Sequence, residues 1–352
     1  MSEPEVLVRV EGAVGRLTLN RPAALHALTT TMCVLMTEAL LGWRSDPAVE
    51  AVLIDHAGER GFCAGGDIRM LAESGAGDGA RAREFFFTEY RLNDLLFGYP
   101  KPVVVIMDGV TMGGGVGLSM PAKFRIATEK TTFAMPETGI GLFPDVGGGW
   151  FLPRLRDHAG LWLALTGARI KAADCMALEI ATHVVASASV AELKAAIVAA
   201  PGHIPEAIAP FAVEPGPAPV AGRFADIERL FGQPSVEDVV AALEADGSEW
   251  TKAQLATLKT KSPQTLKVAF RQLMQGGHMT SFADNMAMEY RIGARVVHKH
   301  DFIEGVRAVI VDKDNAPKWN PASLDGVIEA DLDAIFAPLP ADQEWTPLER
   351  LA

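Results

Sequence analysis

The stretch FAMPETGIGLFPDVGGGWFLPRL, residues 133–155, sets Glu137 and Asp145 in otherwise apolar surroundings. Charged side chains are seldom left there unless they are paired or put to use. Two buried carboxylates at one site can divide acid and base work between them. Plainer uses also fit. Glu137 can cap backbone N–H groups of a helix or loop, and Asp145 can open an Asx-type turn or an N-cap before Gly147–Gly149. Residue types alone leave both readings open.

Two further segments join glycine to a change of element. GERGFCAGGDIRML (58–71) and DGVTMGGGVGLSM (108–120) each follow an apolar, β-rich run and lead into a helical pattern. A chain that leaves a buried strand through glycine and enters a helix points free N–H groups outward. Two such turns side by side can hold a carbonyl oxygen between two donors, as in an oxyanion hole. Equally, glycines there can serve only tight turns and close helix–strand packing. Neither segment ends in GK[ST], and no G-x-G-x-x-G follows the strands, so a phosphate loop and a dinucleotide fingerprint are not found. Gly117-Leu118-Ser119-Met120-Pro121 lacks the final glycine of a nucleophile elbow. Cys63 reads as a small buried hydrophobe.

The 352 residues are enough for a large core, in one domain or two. A formal charge of −12 argues against non-specific binding to nucleic acid or to anionic membranes. Cys33, Cys63 and Cys175 are odd in number and without a CxxC pair, so neither a disulfide framework nor a cysteine zinc site is expected. The histidines show no HExxH, and no metal is expected. The acidic start MSEPEVLVRVEG has no signal core and no run of 18 apolar residues occurs, which leads to the expectation of a cytoplasmic protein without a membrane span.

The elements that must position these groups follow from periodicity. VGRLTLN (14–20) alternates like a half-buried strand; AVLIDH (51–56) and VVVIM (103–107) read as strands covered on both faces. Helical patterns run over about 29–43, 67–73, 81–98 and 113–121, so repeated strand-then-helix units predict an α/β domain over 1–200. Six prolines within 201–222 read as an extended linker. Beyond it, 223–352 reads as mostly helical. VEDVVAALEA (236–245) is amphipathic, Ser262-Pro263 starts a helix as N-cap and N1, and 281–299 forms a long helix with Phe282, Met286, Tyr290, Ile292 and Val296 partly buried.

FCAGGDI, TMGGGVGL and FAMPETGIGLFPDVGGG, in this order and spacing, resemble the crotonase (enoyl-CoA hydratase/isomerase) superfamily, nearest to its 3-hydroxyisobutyryl-CoA hydrolase branch. The likeness continues through 163–185, 261–273 and 288–321. It implies an α/β fold, a ββα superhelix with a mostly helical C-terminal region, and an acyl-CoA thioester as substrate. No cofactor beyond the CoA of the substrate is implied. The implied oxyanion hole is the N–H groups of Gly66 and Gly114, with CoA contacts at Leu25, Ala27, Ala64, Asp67 and Ile68. Arg69 and Lys101 are candidates for the CoA phosphates. Trimers or pairs of trimers are common in the superfamily, while the helical part could instead cover that surface in a monomer.

Departures from the hydratase pattern bear on the chemistry. The first hydratase glutamate falls on Gly117, which cannot act as acid or base; the second falls on Glu137; hydratases usually have glycine where this chain has Asp145. Glu89, in FFFTEY, matches a substrate-contacting residue of the hydrolase branch. This exchange implies hydrolysis of a short 3-hydroxyacyl-CoA, with Glu137 and Asp145 catalytic and Glu89 substrate-binding, and by analogy a place in valine breakdown. Hydration or isomerisation of an enoyl-CoA, and non-catalytic acyl-CoA binding, are the competing readings.

Overall fold

A computed structural model describes residues 3–349. The strands are β1 (Val6–Glu11), β2 (Val14–Leu19), β3 (Ala51–His56), β4 (Gly61–Cys63), β5 (Val103–Met107), β6 (Val110–Met112), β7 (Phe124–Ala127), β8 (Thr132–Ala134) and β9 (His183–Val184). They form a six-stranded sheet in the order β1-β2-β3-β5-β7-β9 and a three-stranded sheet in the order β4-β6-β8. In chain order the pattern repeats. A long strand joins the large sheet, a short strand joins the small one, and a helix or 3-10 turn follows, at Ile68–Gly75, Gly114–Ser119 and Glu137–Ile140. The α/β repeat expected from the sequence is therefore present. The short strands β4 and β6 were hidden inside the two glycine-rich segments, because three residues carry too little periodicity to read.

The chain groups into two compact units, both discontinuous. The first comprises Met1–Gly66, Arg91–Phe133 and Ile170–Ala221, and the second Asp67–Tyr90, Ala134–Arg169 and Gly222–Ala352. This division departs from a core over 1–200. Residues 67–90 and 134–169 side with the C-terminal helices, against which their apolar faces pack.

In the first unit β1 runs antiparallel to β2 and the other pairs of the large sheet are parallel. One sheet face presents Val14, Leu53, Val104, Ile106 and Ile126 to Leu193 and Ile197 of the helix Val190–Ala199, and to Ile204 and Ile208. Burying each such side chain contributes about 1.5–3 kcal/mol. Ile204 and Ile208 belong to the stretch read as an extended linker. That reading is corrected: residues 204–208 are helical, 209–211 and 219–223 form 3-10 turns, and Val213 donates its N–H to Val184 O. Pro205, Pro210 and Pro219 sit in first turns, where no intrahelical N–H is required. They start short helices here rather than preventing them.

The small sheet is packed backbone to backbone. A Cβ on Gly109 would lie 2.6 Å from Gly61 Cα, and one on Gly115 would lie 2.5 Å from Cys63 O. The strand and the helix start can approach this closely only without side chains.

The second unit is largely helical. The helix Pro263–His278 begins as expected, with Ser262 Oγ accepting from Thr265 N–H at 3.2 Å and proline in its first turn. It packs on Gly148–Phe151 and on Ala159–Thr166, a helix buried on every side. The helix Phe282–Val296 is capped by Ser281 and packs on Gly148–Phe151 and on Glu329–Phe336. Gly115→Ala should lower unfolding free energy by about 1–3 kcal/mol through overpacking. Urea denaturation checks this, and an unchanged midpoint would show the β4–helix contact to be looser than described.

Candidate active site

In the first unit the two glycine turns are built alike. Gly65 has φ +118° and Gly113 has φ +46°, backbone that L side chains seldom adopt, and each immediately precedes a candidate donor, Gly66 or Gly114. A Cβ on Gly65 would lie 4.0 Å from Gly113 Cα, so the two turns are neighbours. Gly114 is the first residue of its helix, where N–H groups lack an intrahelical acceptor. Gly117 is buried in the same short helix and donates its N–H to Gly113 O.

The loop RPAALHAL is latched to the first glycine turn. Ala64 N–H donates to Leu25 O at 3.0 Å, Leu28 N–H to Gly65 O at 2.8 Å, and Cys63 Sγ to His26 O at 3.2 Å. Leu25 and His26 both have positive φ, a strained pair for residues with side chains. The His26 ring holds that pair, its Nδ1 accepting from Arg21 N–H at 3.0 Å. Burial and the neighbouring His56 push its pKa down to about 4, so the ring is neutral. Cys63 is fully buried, in keeping with the sequence reading. Ala27 O takes a bond from the Arg21 guanidinium. Lys101 does not stand ready for a phosphate: its Nζ donates to Trp43 O in the last turn of the helix Thr30–Arg44 and to Asp46 O just past it.

Asp67 and Ile68 fall in the second unit. Asp67 Oδ1 caps the helix Ile68–Gly75 by accepting from Met70 N–H at 3.2 Å, so its carboxylate has a structural task. Glu89, Glu137 and Asp145 are brought together in this unit. Glu89 lies on the helix Ala80–Phe97, Glu137 opens the 3-10 turn Glu137–Ile140, and Asp145 stands in the buried run Leu142–Gly149. None is more than 6% exposed. Neither plain reading accounts for Glu137 or Asp145. Glu137 Oε2 has no hydrogen-bond partner among the described residues, and Asp145 Oδ2 accepts from Tyr90 Oη at 2.9 Å instead of capping Gly147–Gly149. Glu89 Oε1 is likewise unpartnered among the described residues. A buried polar atom without a partner costs free energy unless a ligand or water meets it.

Two more groups complete the cluster. Tyr90 is fully buried, and Glu289 from the helix Phe282–Val296 accepts from Gly147 N–H at 2.8 Å and from Gly149 N–H at 2.9 Å. Tyr90 stands beside Glu89 in the sequence, with no local signal of its own. Glu289 had a legible signal: the buried stripe 282, 286, 289, 293, 296 of an amphipathic helix runs through it.

Burial and like charge govern the protons. Desolvation first, and Asp145 second, hold Glu137 well above the ordinary carboxylate range. Desolvation, then Asp145 and Glu289, do the same to Glu89. Asp145 is pushed up to about 7 by burial, with the Tyr90 hydroxyl pulling the other way. Burial raises Glu289 as well, but a proton on its carboxyl would find no acceptor among the four donors that meet it, Gly147 N–H, Gly149 N–H, Asn285 Nδ2 and Gln272 Nε2, so Glu289 is the member of the cluster that keeps its charge. The groups cannot all be ionised together, and the cluster retains protons at neutral pH.

This fixes a sign. Asp145 titrates from 3.8 when free of burial to about 7 when folded. The folded state therefore binds the extra proton, and the stability it contributes is complete below the unfolded value and is lost as pH rises through 7. Asp145→Asn should flatten the fall of unfolding free energy between those pH values. Urea denaturation across a pH series tests it, and an identical slope in the variant would refute the assignment.

The model of a family described as "Enoyl-CoA hydratase/isomerase" matches residues 14–336. The chain is 45% identical over 352 residues to a zebrafish (Danio rerio) protein named 3-hydroxyisobutyryl-CoA hydrolase, mitochondrial, covering 95% of this chain and 90% of that one. The Xenopus laevis protein of the same name is 45% identical over 342 residues, covering 95% and 89%. A crystal structure titled as a carnitinyl-CoA dehydratase from Mycobacterium thermoresistibile is 42% identical, superposes with a TM-score of 0.93, and covers 98% of this chain and 99% of its own. The names of the vertebrate relatives point to the mitochondrion, which overturns the expectation of a cytoplasmic protein. An acidic N-terminus without a signal core was too little to assign a compartment. With the ββα repeat, the paired glycine turns and most of its length matched, this chain belongs to the enoyl-CoA hydratase/isomerase family.

Proposed function

We propose that this protein hydrolyses the thioester of a short 3-hydroxyacyl-CoA, 3-hydroxyisobutyryl-CoA foremost, to the free hydroxy acid and CoA. The observation that carries the reading is the buried, unpartnered Glu137 Oε2 in a cluster with the Asp145–Tyr90 pair, while Gly117 stands where a hydratase needs its other carboxylate. The names of the vertebrate relatives support it.

In this mechanism the thioester oxygen is held by the N–H groups of Gly66 and Gly114. Loss of one such donor typically costs about 3 kcal/mol in the barrier. Main-chain groups of Leu25, Ala27, Ala64 and Ile68 bind the CoA portion. Glu137, once ionised, takes the proton of a water whose oxygen attacks the carbonyl carbon. The tetrahedral oxyanion collapses, the C–S bond breaks, and the proton passes to the thiolate. A raised proton affinity suits a base that must hold this proton until it is needed. Asp145 and Glu89 bind the 3-hydroxyl of the acyl group, a recognition that an acyl chain without that hydroxyl cannot satisfy. In single-turnover reactions in ¹⁸O-water, attack by water puts the label in the product acid. Label found in Glu137 would mean that the carboxylate itself attacks to form an anhydride.

The dehydratase name of the mycobacterial relative favours a second reading, addition or removal of water across a double bond. One assay separates the two. With 3-hydroxyisobutyryl-CoA, free thiol should appear, and Glu137→Gln should slow its release by about 10²–10⁴-fold. With crotonyl-CoA, the enoyl absorbance should persist. Loss of that absorbance without thiol release would favour the second reading and sink the first.

A further inference from the structure

We propose that Glu289 is a positioning residue, which clamps the main chain on the C-terminal side of Asp145 while Gln272 clamps it on the N-terminal side, so that the Asp145 carboxylate is held where Tyr90 and the substrate meet it. This rests on the hydrolase reading for its activity readout, but the clamp itself is geometric. Glu289 Oε2 accepts from Gly147 N–H at 2.8 Å. Its Oε1 accepts from Gly149 N–H at 2.9 Å, from Asn285 Nδ2 at 2.9 Å and from Gln272 Nε2 at 3.1 Å. Gln272 Nε2 also donates to Pro144 O at 2.7 Å. The residues on both sides of Asp145 are thus tied to a single carboxylate–amide pair.

The run needs such a tie. Val146, a β-branched residue, has φ +54°, and Gly147 follows with φ +93°. A β-branched side chain in the left-handed region is a genuine outlier, which persists only where its surroundings over-determine it. The kink turns the N–H groups of Gly147 and Gly149 toward Glu289 and leaves the Asp145 side chain to Tyr90. The fit is tight. A Cβ on Gly149 would lie 2.6 Å from Asn285 Oδ1 and 3.1 Å from Glu289 Oε1. Every partner of Glu289 is a donor, which is the arrangement of a bound anion at a nest of N–H groups. The titratable groups around it are Glu89 and Tyr90, whose proton affinities its charge raises, and Asp145, whose charge and that of Glu289 repel each other.

The test is Glu289→Gln, compared with wild type for hydrolysis of 3-hydroxyisobutyryl-CoA across pH. The amide NH₂ must oppose one of the glycine N–H groups, so the clamp opens on one side. The expected result is a fall in kcat of about 10²-fold, the scale of a small misplacement. KM should stay nearly unchanged, and the acidic limb of the profile should move to lower pH as a negative neighbour is lost. A kcat close to wild type, or a loss of equal size at every pH with an unmoved limb, would overturn the proposal. If Glu289→Gln does not fold, Gln272→Met removes the Pro144 anchor while keeping side-chain length. Reduced kcat is then expected, and wild-type kcat would overturn the proposal. If the wild-type protein releases no thiol, the hydrolase reading fails separately. In that case ¹³C-detected titration of Asp145 decides the clamp: a lowered midpoint in Glu289→Gln supports it and an unmoved one refutes it.

Discussion

Glu89, Glu137, Asp145, Glu289 and the Tyr90 phenol lie together out of water in the helical unit, and no arrangement of their charges lets all of them ionise together. Each ionised carboxylate raises the proton affinity of the next, so the set behaves as one acid with several sites rather than as independent residues. The helices that supply Glu89 and Glu289 and the kinked run that supplies Asp145 all have to tolerate this shared charge. Hydrogen bonding decides who carries it. Glu289 takes several N–H donors and Asp145 takes a hydroxyl, whereas Glu137 and Glu89 each keep an atom unpartnered among the described residues. The satisfied groups hold the structure, and the unsatisfied ones are available to a ligand.

The other unit works by different means. Its candidate donors are main-chain N–H groups, and they are aimed by two glycines of positive φ that stand in neighbouring turns. The close approach of β4, β6 and the helix Gly114–Ser119 fixes those turns without any charged side chain. The His26 ring and the latch from Leu25 to Ala64 add the adjoining loop to the same rigid frame.

Much of this was legible in the sequence, for identifiable reasons. Long apolar runs such as 51–56 and 103–107 read as strands because burial on both faces leaves an unbroken apolar signature. The Ser262-Pro263 helix start is written in two residues. Glu137 and Asp145 stood out because charge is rare in such surroundings. What stayed hidden was non-local. The proline-rich stretch became short helices because a distant sheet face was there to bury Ile204 and Ile208. Tyr90 matters through a residue 55 positions away, and Glu289 through main-chain groups 140 and 142 positions away. The grouping of 67–90 and 134–169 with the C-terminal helices likewise depends on faces that no single window contains.

The two glycine turns have an evolutionary corollary. A donor made of peptide N–H cannot be deleted by exchanging a side chain; only a change of backbone course removes it. The proposed acid and base groups, by contrast, are ordinary side chains, and single substitutions create or remove them, as the resemblance implies for the glycine at 117 and the aspartate at 145. On the function proposed above, a lineage that inherits such turns keeps the means of polarising a thioester while it is free to change what is done with the polarised carbonyl. Relatives over 40% identical that bear hydrolase and dehydratase names are the outcome expected of that division between a fixed electrophile and an exchangeable proton carrier.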